Sequence, residues 1–141
     1  MSDVAGVVTA LASRISTGMA GTALGGRSVA FAVDSPNPPC AIVMPSEGEF
    51  VNYDVSFDGQ DDFELVVKLL VGTQVSRTGQ SQLLGYLAKT GSTSVRTAIY
   101  GDRTLGGVVS DVRVEGARSY GDVDYAGVVF FGAEIVVTVY A

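Results

Sequence analysis

Apolar residues recur along this chain with two different periods, and the switches between them mark out its elements. Val4, Val7, Val8, Leu11 and Ile15 share one helical face, with Asp3 where a helix dipole favours negative charge and Arg14 near the opposite end. This predicts a helix from about Ser2 to Ser16. Gly18, Gly21, Gly25 and Gly26 break any continuation. Val29, Phe31 and Val33 then alternate with Ser28, Ala30 and Ala32, the period of a half-buried strand. Asp34-Ser35-Pro36-Asn37-Pro38-Pro39 reads as a turn-rich connector. Pro38 and Pro39 cannot donate ladder hydrogen bonds, so strand structure is expected to resume at about Cys40 to Met44.

Val51, Tyr53, Val55 and Phe57 alternate with Phe50, Asn52, Asp54 and Ser56, and the Asp58-Gly59 pair that follows is a hairpin signal. The return run Phe63 to Val71 is almost continuously apolar, broken by Glu64 and Lys68. A strand covered on both faces, in the middle of the sheet, has that composition. Leu83, Leu84, Leu87 and Ala88 place a second helix at Gln80 to Lys89, with Gly91 as its left-handed cap. Ser92 or Ser94 caps a shorter third helix whose inward residues are Val95, Ala98 and Ile99.

After Gly106-Gly107 the set Val108, Ser110, Val112, Val114 alternates with Val109, Asp111, Arg113, Glu115, one face buried and one polar. A turn is expected around Arg118 to Asp122, with a return strand from Tyr125 to Tyr140 and a bulge or bend at Gly132. The order is helix, four strands, two helices, two strands. It predicts a single α+β domain over residues 1–141, with an antiparallel or mixed β-sheet, helices packed mainly on one face, and a long C-terminal β-hairpin. That hairpin is long and apolar for so small a domain. Exposed strand edges invite pairing, so it either closes the sheet or lies against a neighbouring subunit, and the second is favoured.

Composition narrows the function classes. The chain has 141 residues, enough for one core, since a domain of about this size buries roughly 68 to 70 percent of its unfolded surface. With 47% hydrophobic and 17% charged residues, it carries a surface that tends to seek partners. Its net charge is −6 and its basic residues are scattered, so no patch is expected to grip phosphates. There is no His and one cysteine, Cys40, which leaves no intrachain disulfide, no ordinary zinc site and no imidazole base. Cys40 reads as a small buried hydrophobe. No secretory signal or membrane-spanning stretch is expected, and the chain should reside in a cytosol until used.

Three patterns invite a site and each has a plainer reading. Gly21-Thr22-Ala23-Leu24-Gly25-Gly26-Arg27-Ser28 matches phosphate-loop spacing with Arg27 in place of Lys. It follows a helix and precedes a strand, the reverse of what a phosphate cradle needs, so it reads as a connector. Asp54, Asp58, Asp61 and Asp62 gather carboxylates without the spacing of a calcium loop and read as a solvated hairpin tip. Asp102-Arg103-Thr104-Leu105 forms a corner with two open readings: contact with a neighbouring subunit, or Asp102 capping a turn while Leu105 plugs the core. Lys68 and Lys89 sit on a strand and at a helix end, so no activated nucleophile is expected. The expectation is no catalytic, cofactor-binding or metal residue.

The run Thr93-Ser94-Val95-Arg96-Thr97-Ala98-Ile99, then Asp102-Arg103-Thr104-Leu105-Gly106-Gly107 and a long hairpin, resembles the tail terminator proteins of long-tailed bacteriophages. The resemblance spans about Leu83 to Val114 and continues loosely through the hairpin; the connector at Gly18 to Gly26 departs from it. It implies a hexameric ring, assembled in the host cytoplasm, that sits on the head-proximal end of the tail tube. Such a ring halts tube polymerisation and docks the head connector or head-closure protein. Its partners would be its own copies, the tail tube protein and that head protein, with DNA only as cargo and no membrane.

On this reading Asp102, Arg103, Leu105, Val109, Arg113 and Tyr125 are candidates for the subunit interface. Asp54, Asp58, Asp61 and Asp62 are candidates for lumen charge that would repel passing phosphates. A head-closure or tail-completion adaptor and a tail tube subunit are the near alternatives. A small ligand-binding domain or enzyme is the distant one.

Overall fold

A computed structural model describes residues 4–19, 28–30, 39–46, 51–52, 61–72, 77–125 and 127–140. The Gly-rich segment 20–27, most of the proline connector, and Asp54, Asp58 and Gly59 lie outside these residues. The elements in chain order are α1 (Val4–Gly18), β1 (Ser28–Ala30), β2 (Cys40–Pro45), β3 (Val51–Asn52), β4 (Asp62–Gly72), α2 (Arg77–Tyr86), α3 (Val95–Tyr100), β5 (Asp111–Tyr125) and β6 (Val128–Tyr140). The strands form one sheet in the order β1-β2-β4-β6-β5, with β3 also on β4. Only β1 and β2 run parallel. The α+β single domain expected from the pattern is the observed architecture.

The apolar run of β4 lies mid-sheet, as expected. Phe63, Leu65, Val67 and Leu69 point to the helices and share a core with Ala133, Ile135, Val137 and Val139 of β6. Val7, Val8, Leu11 and Ile15 of α1 and Val95, Ala98 and Ile99 of α3 close that core from above. Each fully buried aliphatic side chain is worth about 1.5–3 kcal/mol over its exposed state, which makes this layer the main source of stability. On the opposite face Cys40, Ile42 and Leu70 meet Val123, Tyr125 and Phe130 in a second, smaller cluster. Gly18 ends α1 where it crosses α3: a Cβ there would lie 2.7 Å from the Ala98 Cα, so only glycine allows the approach.

Several boundaries differ from the pattern, including the start of α2, at Arg77 rather than Gln80, and the end of α1, at Gly18 rather than Ser16. Helix α2 ends at Tyr86 rather than Lys89, and Gly91, although at φ +118°, does not cap it. Downstream side chains take the freed carbonyls instead: Thr93 Oγ1 donates to Gly85 O (3.3 Å), the Ser94 hydroxyl to Ala88 O and Arg96 Nη1 to Lys89 O (3.2 Å). Strand β5 begins at Asp111, not Val108, because the Val109 N–H is bound to Thr104 O (3.1 Å). This inverts the expected facing, with Val109 buried and Val108 38% exposed.

The chain does not turn at Arg118 to Asp122. Ser119 (φ 57°) and Gly121 (φ 115°) do take left-handed backbone there, but they produce a register shift between Arg118 and Gly121 while β5 runs on to Tyr125. The hairpin reverses between Tyr125 and Val128, with Gly127 at φ 79°. Gly132 sits at the bend, as expected. It opposes Leu70 of β4 and Gly121 of β5, with register shifts beside both pairs, and a Cβ on it would overlap the Leu69 carbonyl.

Candidate functional site

The corner between α3 and β5 is built from its capping groups upward. Ser94 has extended backbone and its Oγ accepts from Thr97 N (3.2 Å), which starts α3. Gly101 and Asp102 follow the last turn, and the Asp102 carboxylate accepts from Thr104 N (3.1 Å), Thr104 Oγ1 (2.9 Å) and Gly106 N (2.9 Å). These bonds hold the Asp102 carboxyl below its ordinary range, the Thr104 hydroxyl contributing most. Leu105, Gly106 and Gly107 then all take positive φ, at 51°, 75° and 89°. A leucine in left-handed backbone costs about 1–2 kcal/mol, which the burial of its side chain offsets.

Arg103 is fixed on three sides. Its guanidinium donates to both oxygens of Asp111 (2.7 and 3.1 Å) and to Val112 O (3.2 Å). Its carbon also lies 4.6 Å from the centre of the Tyr100 ring. Arg96 lies over the same ring, also at 4.6 Å, and the Tyr100 hydroxyl accepts from Val114 N (2.9 Å). The Arg103 hydrogen bond is the main reason the Asp111 carboxyl titrates below its usual range, and the same bond raises Arg103. Tyr100 therefore ties α3 to the start of the hairpin. The sequence reading overlooked it, although an aromatic between arginines at helical spacing was the available signal.

The interface candidates are split by the structure. Asp102 and Arg103 line the corner's surface with their polar groups engaged locally, and Arg113 is exposed on β5 with Glu115 3.7 Å away. Leu105, Val109 and Tyr125 are buried in the chain's own core, at 5%, 6% and 4% exposure, so their side chains are not offered to a neighbour. For the corner, the turn-capping and core-plugging reading describes what Asp102 and Leu105 do. Among the lumen-charge candidates, Asp54 and Asp58 lie outside the described residues. Asp61 is buried, and Asp62 is partly buried with its carboxyl pushed up by burial first and by Asp61 second.

The exposed apolar surface lies elsewhere, at the far end of the hairpin. Tyr120, Val128 and Val129 are each about half exposed (50%, 51% and 53%), and Tyr120 meets Phe131 edge-on with ring centres 5.6 Å apart. Strand β5 is an edge of the sheet, pairing only with β6 among the described residues. Where β5 passes α2 and α3, a pocket of about 220 Å³ opens, floored by Leu87, Val114, Ala117 and Ile135 and rimmed by Lys89 and Arg96. On the opposite face a cleft of about 270 Å³ holds the Lys68–Glu134 (3.7 Å) and Arg118–Glu134 (3.0 Å) pairs, in which one carboxylate serves two cations.

Among the described residues no three His, Cys, Asp or Glu side chains gather to hold a metal ion, and no helix is long and apolar enough to cross a membrane. No family model matches the chain, and a search of curated proteins finds no match.

Proposed function

We propose that this chain is a structural subunit of a phage tail: a terminator that caps the head-proximal end of the tail tube as a hexameric ring and forms the docking surface for the head connector. It acts by surface complementarity, and no bond is made or broken. The observation that carries the reading is the hairpin β5–β6. Its outer strand is a free edge among the described residues, and its far end gathers Tyr120, Val128 and Val129, three of the five large apolar side chains exposed among the described residues, Leu84 on α2 and Val108 ahead of β5 being the other two. The corner supports it by rigidity. Asp102 holds the turn, and Arg103 and Tyr100 anchor the hairpin's first residues, so the point where the hairpin leaves α3 is fixed.

A tail tube subunit is the second reading, favoured by the same long hairpin, since a heterologous contact closes into a ring or continues as a filament depending on its rotation. Negative-stain electron microscopy of the purified full chain separates the two. Six-fold rings with a central opening support the terminator, and open-ended filaments support the tube subunit. Featureless monomers at high concentration contradict both.

A further inference from the structure

The two halves of a contact are present in this chain at places that do not meet within one copy. On β5 and β6 the cross-strand pairs Asp122 with Phe131, Val123 with Phe130 and Asp124 with Val129 alternate between the faces of the hairpin. Val123 and Phe130 belong to the small cluster on the face away from the helices. Strand alternation therefore places Asp122, Asp124 and Val129 on the helix side, where Tyr120 packs on Phe131. This surface combines an exposed valine and an aromatic ring with two carboxylates that have no ion-pair partner among the described residues.

The pocket between α2, α3 and β5 is its complement. Its floor is aliphatic, and the cations at its rim, Lys89 and Arg96, have no carboxylate partner among the described residues. The pocket's own carboxylate, Glu115, is already engaged by Arg113 (3.7 Å) and by the Thr138 hydroxyl (3.0 Å). Asp124 lies roughly 20 Å along β5 from Ala117 at about 3.3 Å per residue, beyond the register shift between Arg118 and Gly121, and none of Asp122, Asp124 and Val129 lines the pocket of its own chain.

We infer that the hairpin tip of one copy seats in the pocket of the next, with Val129 on the Leu87–Ala117–Ile135 floor and Asp122 and Asp124 facing Lys89 and Arg96. The occupant is a second copy of this chain, and the contact is head-to-tail, the type that generates rings. The proposal deepens the ring reading and rests on it, by naming the surfaces that close the ring.

Disulfide trapping tests it on the full chain. In a Cys40→Ala background, Ala117→Cys with Val129→Cys should oxidise to a ladder of linked species on a non-reducing gel, and neither single cysteine should give more than dimers. Charge reversal tests it independently. Lys89→Glu should weaken self-association roughly tenfold, about 1.4 kcal/mol. Adding Asp122→Lys and Asp124→Lys to the same chain should restore most of it.

Hexamers that neither cross-link at this pair nor respond to Lys89→Glu would overturn this contact and leave the ring reading standing. A cross-linked ladder from open filaments would keep the contact and remove the terminator reading. The absence of any linked species up to millimolar protein would overturn the contact outright.

Discussion

The corner after α3 and the far end of the hairpin are joined by a single strand and treat their side chains in opposite ways. At the corner Asp102 accepts three hydrogen bonds, Arg103 is held by Asp111, Val112 and Tyr100, and Leu105 is turned inward by left-handed backbone. At the tip Val128 and Val129 face solvent, and Asp122 and Asp124 have no ion-pair partner among the described residues. Self-sufficient polar groups mark a region that shapes the subunit. Exposed apolar and unmatched charged groups mark one that can bind. A charged motif on a tight corner attracts attention in a sequence, yet in this chain the exposed apolar and unmatched charged groups lie some twenty residues further on.

Substitutions can break this comparison in graded steps. The largest effect is expected at the bend between the two regions: Gly132→Ala drives a methyl into the Leu69 carbonyl and should cost about 3 kcal/mol or more by chemical denaturation. Leu105→Ala empties a buried position and should cost about 2–3 kcal/mol. If Leu105 served an interface instead, the variant would lose assembly while its monomer stability stayed intact. Ser94→Ala removes both the α3 cap and the donor to Ala88 O, for about 1–2 kcal/mol in the same measurement.

Val129→Ser should leave monomer stability within about 0.5 kcal/mol, as for an ordinary exposed position, and reduce self-association. A melting temperature that drops by several degrees would place Val129 in the core and erase the contrast.

Acid gives the smallest effect and a sign that distinguishes the regions. Asp102 and Asp111 have folded pKa values below the ordinary carboxylate range near 4, so their contribution is present above that range and is lost as pH falls through their lower folded values. Asp62, raised by burial, has the opposite sign: its protonation relieves the folded state as pH falls through its folded value, which lies above the ordinary one. Thermal melts between about pH 6 and pH 2 should therefore show a weak acid limb that Asp102→Asn flattens. An unchanged limb in that variant would mean that the Asp102 turn carries no ionisation-linked stability.

Much of the fold was legible because periodicity reports which side of an element is buried. The alternation and apolar runs of β4 and β6, the face of α1 and the inward set Val95, Ala98 and Ile99 all fell where the pattern put them. Positions decided by distant partners were not legible. The end of α2 depends on Thr93, Ser94 and Arg96 reaching back to its carbonyls, and nothing local to Leu87–Lys89 announces it. The reversal between Tyr125 and Val128 was missed because Ser119 and Gly121 have turn-forming backbone but form a bulge, a choice set by the ladder resuming at Gly121 and Gly132. For the candidate site, the residue types at Asp102 to Leu105 were informative about a corner. The burial of Leu105 was one of the two readings the corner left open, whereas that of Val109, which alternation misassigned, and of Tyr125 depends on tertiary packing.

Native mass spectrometry of the full-length chain across a concentration series tests the central claim most directly. The account predicts a discrete species at six times the chain mass, whose appearance shifts to higher protein concentration on Lys89→Glu and on Val129→Ser while both variants stay folded. A chain that stays monomeric across the whole series, with its hairpin tip exposed, would contradict it.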